Sequence, residues 1–249
     1  MQYGICNLSI VPLRIEASDK SELVSQILYG EWFKVLEQRK SWSKIRLAYD
    51  KYEGWIDNKQ YLEINADEYK GLDAETPKLS NDLVEFVQDH KQQLYPIPIG
   101  ASLNALHVLK HTFDGSSTNS KNDKAKLIPT AFLYLNSPYL WGGKTPFGID
   151  CSGFTQMVYK LNGHKLLRDA SQQATQGEAL SFIEESEPGD LAFFDNAEGH
   201  IIHVGLIMED NYVIHAHGKV RIDRLDHSGI YNVDKKMHTH RLRVIKKII

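Results

Sequence analysis

One short stretch of the chain combines a nucleophile with the start of a helical pattern. The sequence FGIDCSGFTQMVYKLNG, residues 147–163, contains Cys151, one of two cysteines among 249 residues. Turn-forming residues precede Cys151, apolar residues follow it at helical spacing, and Gly163 is placed to cap the C-terminus. Backbone N–H groups and the helix dipole favour negative charge at a helix N-terminus, so we expect a lowered pKa for the Cys151 thiol.

A thiolate at this position would suit acyl transfer. The thiolate is the nucleophilic form of cysteine, and the N–H groups at the start of the helix can stabilise the oxyanion of an attacked carbonyl. The alternative is a structural role, because free cysteine is among the most frequently buried residue types.

Two of the eleven histidines are well placed to serve a thiol nucleophile. His203 opens the strand-like run HVGLIM, and His215 lies in the next such run, YVIHAHG. On adjacent antiparallel strands the two imidazoles would lie close together, one as the base and the other orienting it. Each could instead simply pack within a sheet.

Four histidines in this part of the chain raise the possibility of zinc. His200 and His217 lie close in sequence to His203 and His215. No H-E-x-x-H motif or pair of C-x-x-C motifs accompanies them, and Cys151 is distant in sequence, so a metal site is disfavoured.

Composition limits the other function classes. The net charge is −3, which gives no sign of a nucleic-acid partner. No apolar run approaches the roughly 18 residues of a transmembrane helix, so no membrane partner is expected. The N-terminal residues lack the pattern of a signal peptide, and Cys6 and Cys151 do not form a disulfide framework, so we expect free thiols and a cytoplasmic location.

Three segments differ in pattern. Residues 1–65 contain five short apolar or alternating runs separated by turn signals, which predicts a small β-barrel. Residues 66–126 are less regular: we expect a short helix in ETPKLSNDLVEFVQDH, an extended LYPIPIGASL and a loop at DGSSTNSKNDK, forming a second, reduced barrel unit or a structured linker. Residues 127–249 show two helical patterns followed by four strand-like runs, which predicts an α+β domain.

The first segment resembles a bacterial SH3-like domain. That family shows a G-E-x-x-x-V strand, a W-x-K-I strand and a Y-x-G-W-I strand in this order. Here they correspond to Gly30, Glu31 and Val35, then Trp42–Ile45, then Tyr52–Ile56.

The last segment resembles the NlpC/P60 cysteine peptidases. YLWGGKTPFGIDCSGFTQMVY, EPGDLAFF, HVGLIM and VIHAHG match that family's signatures in order. The resemblance implies a papain-like α+β core in which Cys151 is the nucleophile, His203 the base and His215 the residue that orients His203. It also implies that Tyr139 joins the Cys151 N–H in the oxyanion hole, although Tyr139 could instead be a core aromatic residue. Substrate-binding roles are implied for Trp141, Asp150 and Ser152.

Within this family the chain resembles the γ-D-glutamyl-L-diamino acid endopeptidases that act on free murein peptides. The implied partner is L-Ala-γ-D-Glu-diamino acid, whose free amine is held by an acidic residue at the position of Asp169. An SH3-like domain closes the end of the groove in this subgroup, and by position Tyr52 and Glu22 are candidates to bind the L-alanine. Asp169 could instead cap a helix and Glu22 could be a solvated surface acid. Ala170 departs from the hydroxyl residue found in some relatives, which puts one substrate hydrogen bond in doubt.

The resemblance predicts a cytoplasmic cysteine endopeptidase of cell-wall peptide recycling that needs no metal and no organic cofactor. The rival functions are a secreted hydrolase of intact peptidoglycan, a catalytically inactive wall-peptide binding protein, and an acyltransferase or amidase on the same core. The intact set of Cys151, His203 and His215 argues against the inactive protein. The diamino acid and the oligomeric state stay open.

Overall fold

The computed structural model of the chain describes residues 2–249. It divides into two compact units. The first contains the residues up to Ser120 together with Trp141–Thr145, and the second contains Lys121–Leu140 and Pro146–Ile249. The boundaries that we predict at residues 65 and 126 stay predictions.

The first part of unit 1 is an antiparallel sheet of seven strands in the order β3-β2-β6-β5-β4-β1-β7. Val11, Leu13, Ile27, Phe33 and Ile45 alternate along their strands with more exposed residues and form its core. The strands are β1 (Gln2–Ile5), β2 (Ile10–Arg14), β3 (Leu23–Leu28), β4 (Trp32–Gln38), β5 (Trp42–Leu47), β6 (Glu53–Asp57) and β7 (Leu62–Ile64).

All five predicted runs of residues 1–65 are strands in the structure. The fifth run is interrupted by a 3-10 turn at Asn58–Gln60 and supplies both β6 and β7. Strand β1 was not predicted, because its four residues include only one aliphatic side chain, Ile5.

The rest of unit 1 joins short strands to two helices. The prediction of a short helix within residues 75–90 is wrong. This segment is extended, and β9 pairs along its whole length with β10. Apolar residues at 79, 83, 84 and 87 mimic a helical period, whereas the cross-strand pairing decides the structure. The predicted extended segment at LYPIPIGASL is confirmed by β10. The elements are α1 (Ala66–Ala74), β8 (Leu79–Ser80), β9 (Val84–Gln88), β10 (Leu94–Pro98), α2 (Leu106–Leu109), β11 (Thr112–Phe113), β12 (Ser117–Thr118) and β13 (Lys144–Thr145).

Unit 2 packs helices against one antiparallel sheet in the order β15-β21-β16-β17-β18-β19-β20, with β20 also pairing with β21. The long helix α4 is buried along its whole length and packs against β17 and β18. The elements are α3 (Leu127–Phe132), β14 (Gly148–Ile149), α4 (Cys151–Leu161), α5 (Ala170–Gln173), β15 (Glu178–Leu180), β16 (Leu191–Asp195), β17 (Ile201–Ile207), β18 (Tyr212–His217), β19 (Lys219–Asp226), β20 (Gly229–Asn232) and β21 (Met237–Lys247).

The predicted α+β class is confirmed for this unit, as are its two helices and four strands. Helix α4 begins at Cys151, and Gly163 follows it with φ of 77°, the left-handed conformation expected after a helix C-terminus. Strands β15, β19 and β20 were not predicted. Along residues 2–249 the structure contains no helix with the length and apolar character needed to cross a membrane.

Candidate active site

Cys151 is the first residue of α4 and is buried. The helix starts here because Asp150 is its N-cap: one carboxylate oxygen accepts a hydrogen bond of 2.6 Å from the Gly153 N–H. Backbone hydrogen bonds from Val204 and Ser152 reach the thiol. The contact with Val204 places Cys151 beside β17, next to His203 in the sequence.

His203 and His215 lie together, as the strand pattern predicted. Strands β17 and β18 are antiparallel neighbours, with Gly205 opposite His215 in the register. The Nε2 atom of His203 is 2.8 Å from Nδ1 of His215, and both side chains are buried. The absence of a side chain at Gly205 permits this approach, because a Cβ there would lie 2.6 Å from Val213 and 2.9 Å from the Cβ of His215.

A buried carboxylate completes the chain of contacts. Nε2 of His215 is 3.1 Å from Oδ2 of Asp223, which also accepts a hydrogen bond of 2.7 Å from Arg221. Burial opposes ionisation of Asp223, but the hydrogen bonds from His215 and Arg221 prevail and lower its pKa to about 2. Asp223 is therefore a carboxylate at neutral pH.

These contacts determine which nitrogen atoms carry protons. A carboxylate only accepts hydrogen bonds, so His215 must donate from Nε2 and, when neutral, accept at Nδ1. His203 then donates from Nε2, and its Nδ1 keeps a lone pair. The nitrogen of His203 that is able to take a proton is therefore Nδ1.

The expected lowering of the Cys151 pKa is wrong for this structure. Burial raises the pKa of the Cys151 thiol to about 12, and the Asp150 carboxylate adds to the effect. The backbone hydrogen bonds and Arg168 act in the opposite direction but are weaker. Desolvation outweighs the helix terminus because the low-polarity surroundings disfavour the thiolate.

The base is neutral as well. Burial lowers the pKa of His203 well below its usual value of 6.5, and the neighbouring imidazoles of His215, His240 and His217 lower it further. At neutral pH the site therefore holds a neutral thiol and a neutral imidazole, so the thiol has to lose its proton in the course of the reaction.

Asp150 and Ser152 have partners within unit 2. Arg168 donates to both carboxylate oxygens of Asp150, over 2.9 and 2.6 Å, and to the Ser152 hydroxyl over 3.0 Å. All three side chains are buried. The arrangement holds the N-terminus of α4 in place, and the predicted substrate-binding roles of Asp150 and Ser152 stay predictions.

Tyr139 lies close to the nucleophile. A parallel bridge joins it to Ile149, two residues before Cys151. Burial raises the pKa of the Tyr139 phenol, and the nearby Cys151 and Asp150 raise it further. The hydroxyl therefore stays protonated and able to donate a hydrogen bond.

Models of known families match both parts of the chain. The model described as NlpC/P60 family matches residues 136–241, and the model described as bacterial dipeptidyl-peptidase Sh3 domain matches residues 13–60. The chain carries an NlpC/P60 domain together with a bacterial SH3 domain. The predicted NlpC/P60 domain, SH3 domain and fold class are thereby confirmed.

Named relatives are similar to this chain. A Bacillus subtilis gamma-D-glutamyl-L-lysine dipeptidyl-peptidase is 38% identical over 101 residues, which cover 40% of this chain and 34% of that protein. The chain thus spans about a third of that relative's length. Dipeptidyl-peptidase 6 of Lysinibacillus sphaericus is 27% identical over 245 residues, covering 83% of this chain and 85% of that protein.

A solved structure supports the fold. The crystal structure of an NlpC/P60 family protein from Bacillus cereus superimposes with a TM-score of 0.81 at 20% identity, covering 99% of each chain. The match to the NlpC/P60 family model and the named relatives support a cysteine-type peptidase of the hydrolase class.

Asp169 stands at the N-cap position of the short helix α5 of the NlpC/P60 domain. Its backbone N–H donates to the side chain of Gln172 over 3.1 Å. Asp169 therefore occupies a helix cap, as the alternative interpretation of this residue expects. Its role in binding an amine stays a prediction.

The other predicted substrate-binding residues belong to unit 1. Trp141 is 58% exposed, and its indole N–H donates to a carboxylate oxygen of Glu22 over 2.6 Å. In the same segment, the Lys144 ammonium lies 3.3 Å from the buried carboxylate of Glu31. Tyr52 packs against the core of the SH3 domain. The structure thus brings Glu22 and Trp141 together, and the substrate-binding role of Tyr52 stays a prediction.

Sequence reasoning missed Asp223, Arg168 and His240. The available signal for Asp223 was a carboxylate in the strand-like run that follows the histidine-containing one, KVRIDRLD. For Arg168, the available signal was its position directly before Asp169, which we predict to bind the substrate. His240 lies 25 residues beyond His215, and only the pairing of β21 in the sheet brings it to the site.

The four-histidine zinc alternative does not match the geometry. His200 is exposed on the turn before β17. Within residues 2–249, no three histidine, cysteine, aspartate or glutamate side chains are grouped so that they could hold a metal ion.

Proposed function

We propose that this chain hydrolyses the bond between a γ-D-glutamyl residue and a diamino acid in peptides derived from peptidoglycan, and that it requires a free N-terminal L-alanine. The relatives support this proposal, because one is named for the γ-D-glutamyl-L-lysine bond and both are named dipeptidyl-peptidases. A dipeptidyl-peptidase removes two residues from a free N-terminus. We propose a role in recycling wall peptides in the cytoplasm.

The contact series from Asp223 through His215 to His203, next to a cysteine at a helix N-terminus, carries the proposal. The Cys151 sulfur attacks the carbonyl carbon of the scissile amide while its proton passes to Nδ1 of His203. Because both partners start neutral, proton transfer and attack proceed together, and Asp223 stabilises the imidazolium that forms through His215.

Two hydrogen-bond donors stabilise the negative charge that develops on the carbonyl oxygen. These are the backbone N–H of Cys151 and the hydroxyl of Tyr139. Collapse of this intermediate breaks the C–N bond, and His203 returns its proton to the departing amine of the diamino acid. Water, deprotonated by His203, then attacks the thioester carbon. The C–S bond breaks, His203 returns the proton to the departing thiolate, and the dipeptide leaves as a carboxylate.

Recognition of the free amine needs an anionic partner, and Asp169 and Glu22 are the candidates. An ammonium that is removed from water requires a paired charge and good hydrogen bonds. Glu22 already accepts from the Trp141 indole, which leaves its second oxygen and the indole face available to a cation. An acylated N-terminus presents no charge, so its binding would leave a carboxylate unpaired.

The experiment is a cleavage assay on L-Ala-γ-D-Glu-L-Lys, on its meso-diaminopimelate counterpart and on the N-acetylated form of each, read by mass spectrometry. We expect L-Ala-γ-D-Glu from the free-amine peptides, with a loss of at least about 100-fold in kcat/KM on acetylation. Equal cleavage of free and acetylated peptides would disprove the amine requirement and favour a hydrolase of intact wall. The diamino acid that is cleaved faster identifies the preferred substrate.

A further inference from the structure

A third histidine ring lies against the base. His240 lies in β21, and its imidazole stacks on that of His203 with ring centroids 4.3 Å apart and planes inclined by 25°. The ring of Phe194 packs near both imidazoles, with its centroid 5.7 Å from that of His203 and 6.0 Å from that of His240. His217 meets the His240 ring edge-on at 4.8 Å.

The backbone of β21 is shaped to place this ring. The register shifts between Ile230 and Tyr231 where β20 pairs with β21, and again between Phe193 and Phe194 where β16 pairs with β21. Such irregularities redirect a side chain out of the regular alternation of a strand. Gly229 allows the close approach of β20 at this point, because a Cβ there would lie 1.8 Å from the carbonyl oxygen of His240.

We propose that His240 is a positioning residue for His203, holding the imidazole of the base in the plane that lets Nε2 donate to His215 while Nδ1 stays open to take the proton of the thiol. The hydrogen bond to His215 fixes one atom of the His203 ring but still permits tilt about that atom. A flat ring stacked at 4.3 Å removes the tilt. This inference rests on the proposed role of His203.

The groups around His240 keep its ring uncharged. His203 faces it from β17, His215 and His217 from β18, Asp223 from β19, and Lys235 from the turn before β21. On its own strand, Nδ1 of His240 is 2.9 Å from the Thr239 hydroxyl.

Burial, followed by His215 and His217, lowers the pKa of His240 to about 4, and Asp223 opposes this only in part. A neutral stacked ring does not compete with His203 for the proton of the thiol. It also leaves the imidazolium that forms on His203 without a second positive charge beside it.

The test measures the rate of alkylation of Cys151 by iodoacetamide between pH 4.5 and 8.5, read by peptide mass spectrometry. This readout reports transfer of the thiol proton to His203 without a substrate, so a wrong choice of peptide in the proposed function would not affect it. The same variants are then compared by kcat and KM on the cleaved peptide.

We expect His240→Ala to slow alkylation at pH 7.5 by about 10-fold or more and to lower kcat with little change in KM. His240→Phe retains a flat ring, so we expect both rates within about 3-fold of the unsubstituted protein.

The control is His238→Ala, which removes a histidine two residues away on the same strand, where it pairs with Asp226 instead. It should leave the alkylation profile unchanged. If His240→Ala does not fold, the His240→Phe profile decides alone. A 10-fold or greater loss of the alkylation rate in His240→Phe, or unchanged alkylation in a folded His240→Ala, would overturn the proposal.

Discussion

At the scale of single residues, the site depends on where protons lie. Cys151 and His203 both start neutral, since burial raises the pKa of the thiol to about 12 and lowers that of the imidazole. Asp223 is the charged member of the series. It never contacts the thiol, but it sets the proton positions on His215 and through it on His203.

Asp223→Asn is the substitution that tests this relay. An amide is able to donate as well as accept, so it no longer forces His215 to donate from Nε2 and His203 to keep Nδ1 open. We expect kcat to fall by about 100-fold or more with little change in KM, measured on the peptide that the protein cleaves.

Asp226→Asn is the matched control, because Asp226 lies on the same strand but is half-exposed and pairs with His238. It should keep its activity. A kcat for a folded Asp223→Asn within about twofold of the unsubstituted protein would show that the relay does not set the tautomer.

At the scale of elements, the approach of β17 to β18 determines whether the two imidazoles meet. Gly205 lies opposite His215 in this pair, and a Cβ at Gly205 would clash with Val213 and His215. The run HVGLIM therefore includes a glycine for a geometric reason, because a larger residue would push the strands apart.

Gly205→Ala should reduce activity by widening the contact between His203 and His215. We expect kcat to fall at least about 10-fold and the free energy of unfolding to fall by about 1–3 kcal/mol, as overpacking of a core usually costs. Steady-state kinetics and urea unfolding measure the two effects.

Gly71→Ala supplies the comparison for this substitution. Gly71 lies inside α1, and nothing within 4 Å would meet an added Cβ. It should leave kcat unchanged and raise stability by up to about 1 kcal/mol, because alanine favours the helix. If both alanine variants had the same kcat, the close approach at Gly205 would not matter for catalysis.

At the scale of the whole molecule, buried histidines make folding sensitive to acid. Burial is the main cause that lowers the pKa values of His203, His215 and His240 in the folded state. Above the ordinary value of 6.5, neither the folded nor the unfolded chain protonates them. Below pH 6.5 the unfolded chain binds protons that the folded chain does not bind. The free energy of unfolding therefore falls as the pH decreases towards the pKa values of the folded state, about 4 for His240.

We therefore expect the free energy of unfolding in urea to fall between pH 7.5 and 5.0, by at most about 1.4 kcal/mol per pH unit for each of these histidines. Asp223 does not contribute there, because its ordinary and folded pKa values of 3.8 and about 2 both lie below this window. His240→Phe should flatten the slope. If His240→Phe left the slope unchanged, the pKa of His240 would be the same in the folded and the unfolded chain.

The sequence predicted local features better than long-range contacts. The start of α4 at Cys151, the cap at Gly163 and the pairing of the strands that carry His203 and His215 follow from spacing and turn chemistry. The helix expected within residues 75–90 failed, because pairing of β9 with β10 overrode an apolar spacing that fits either structure.

Contacts between residues on different strands were not predicted. Asp223 and His240 reach the site through the order of strands in the sheet, which no single run of residues encodes. The raised pKa of Cys151 depends on how deeply the thiol is buried, so the helix position alone gave the wrong direction.

The most direct test of the central claim compares two cysteine substitutions in the cleavage assay on L-Ala-γ-D-Glu-L-Lys. Cys151→Ala removes the proposed nucleophile, whereas Cys6→Ala removes a second buried thiol whose hydrogen bonds are to backbone carbonyl oxygens in unit 1. We predict no detectable turnover by folded Cys151→Ala and a kcat for Cys6→Ala within about threefold of the unsubstituted protein. Turnover by folded Cys151→Ala near the unsubstituted rate would contradict the assignment of Cys151 as the nucleophile.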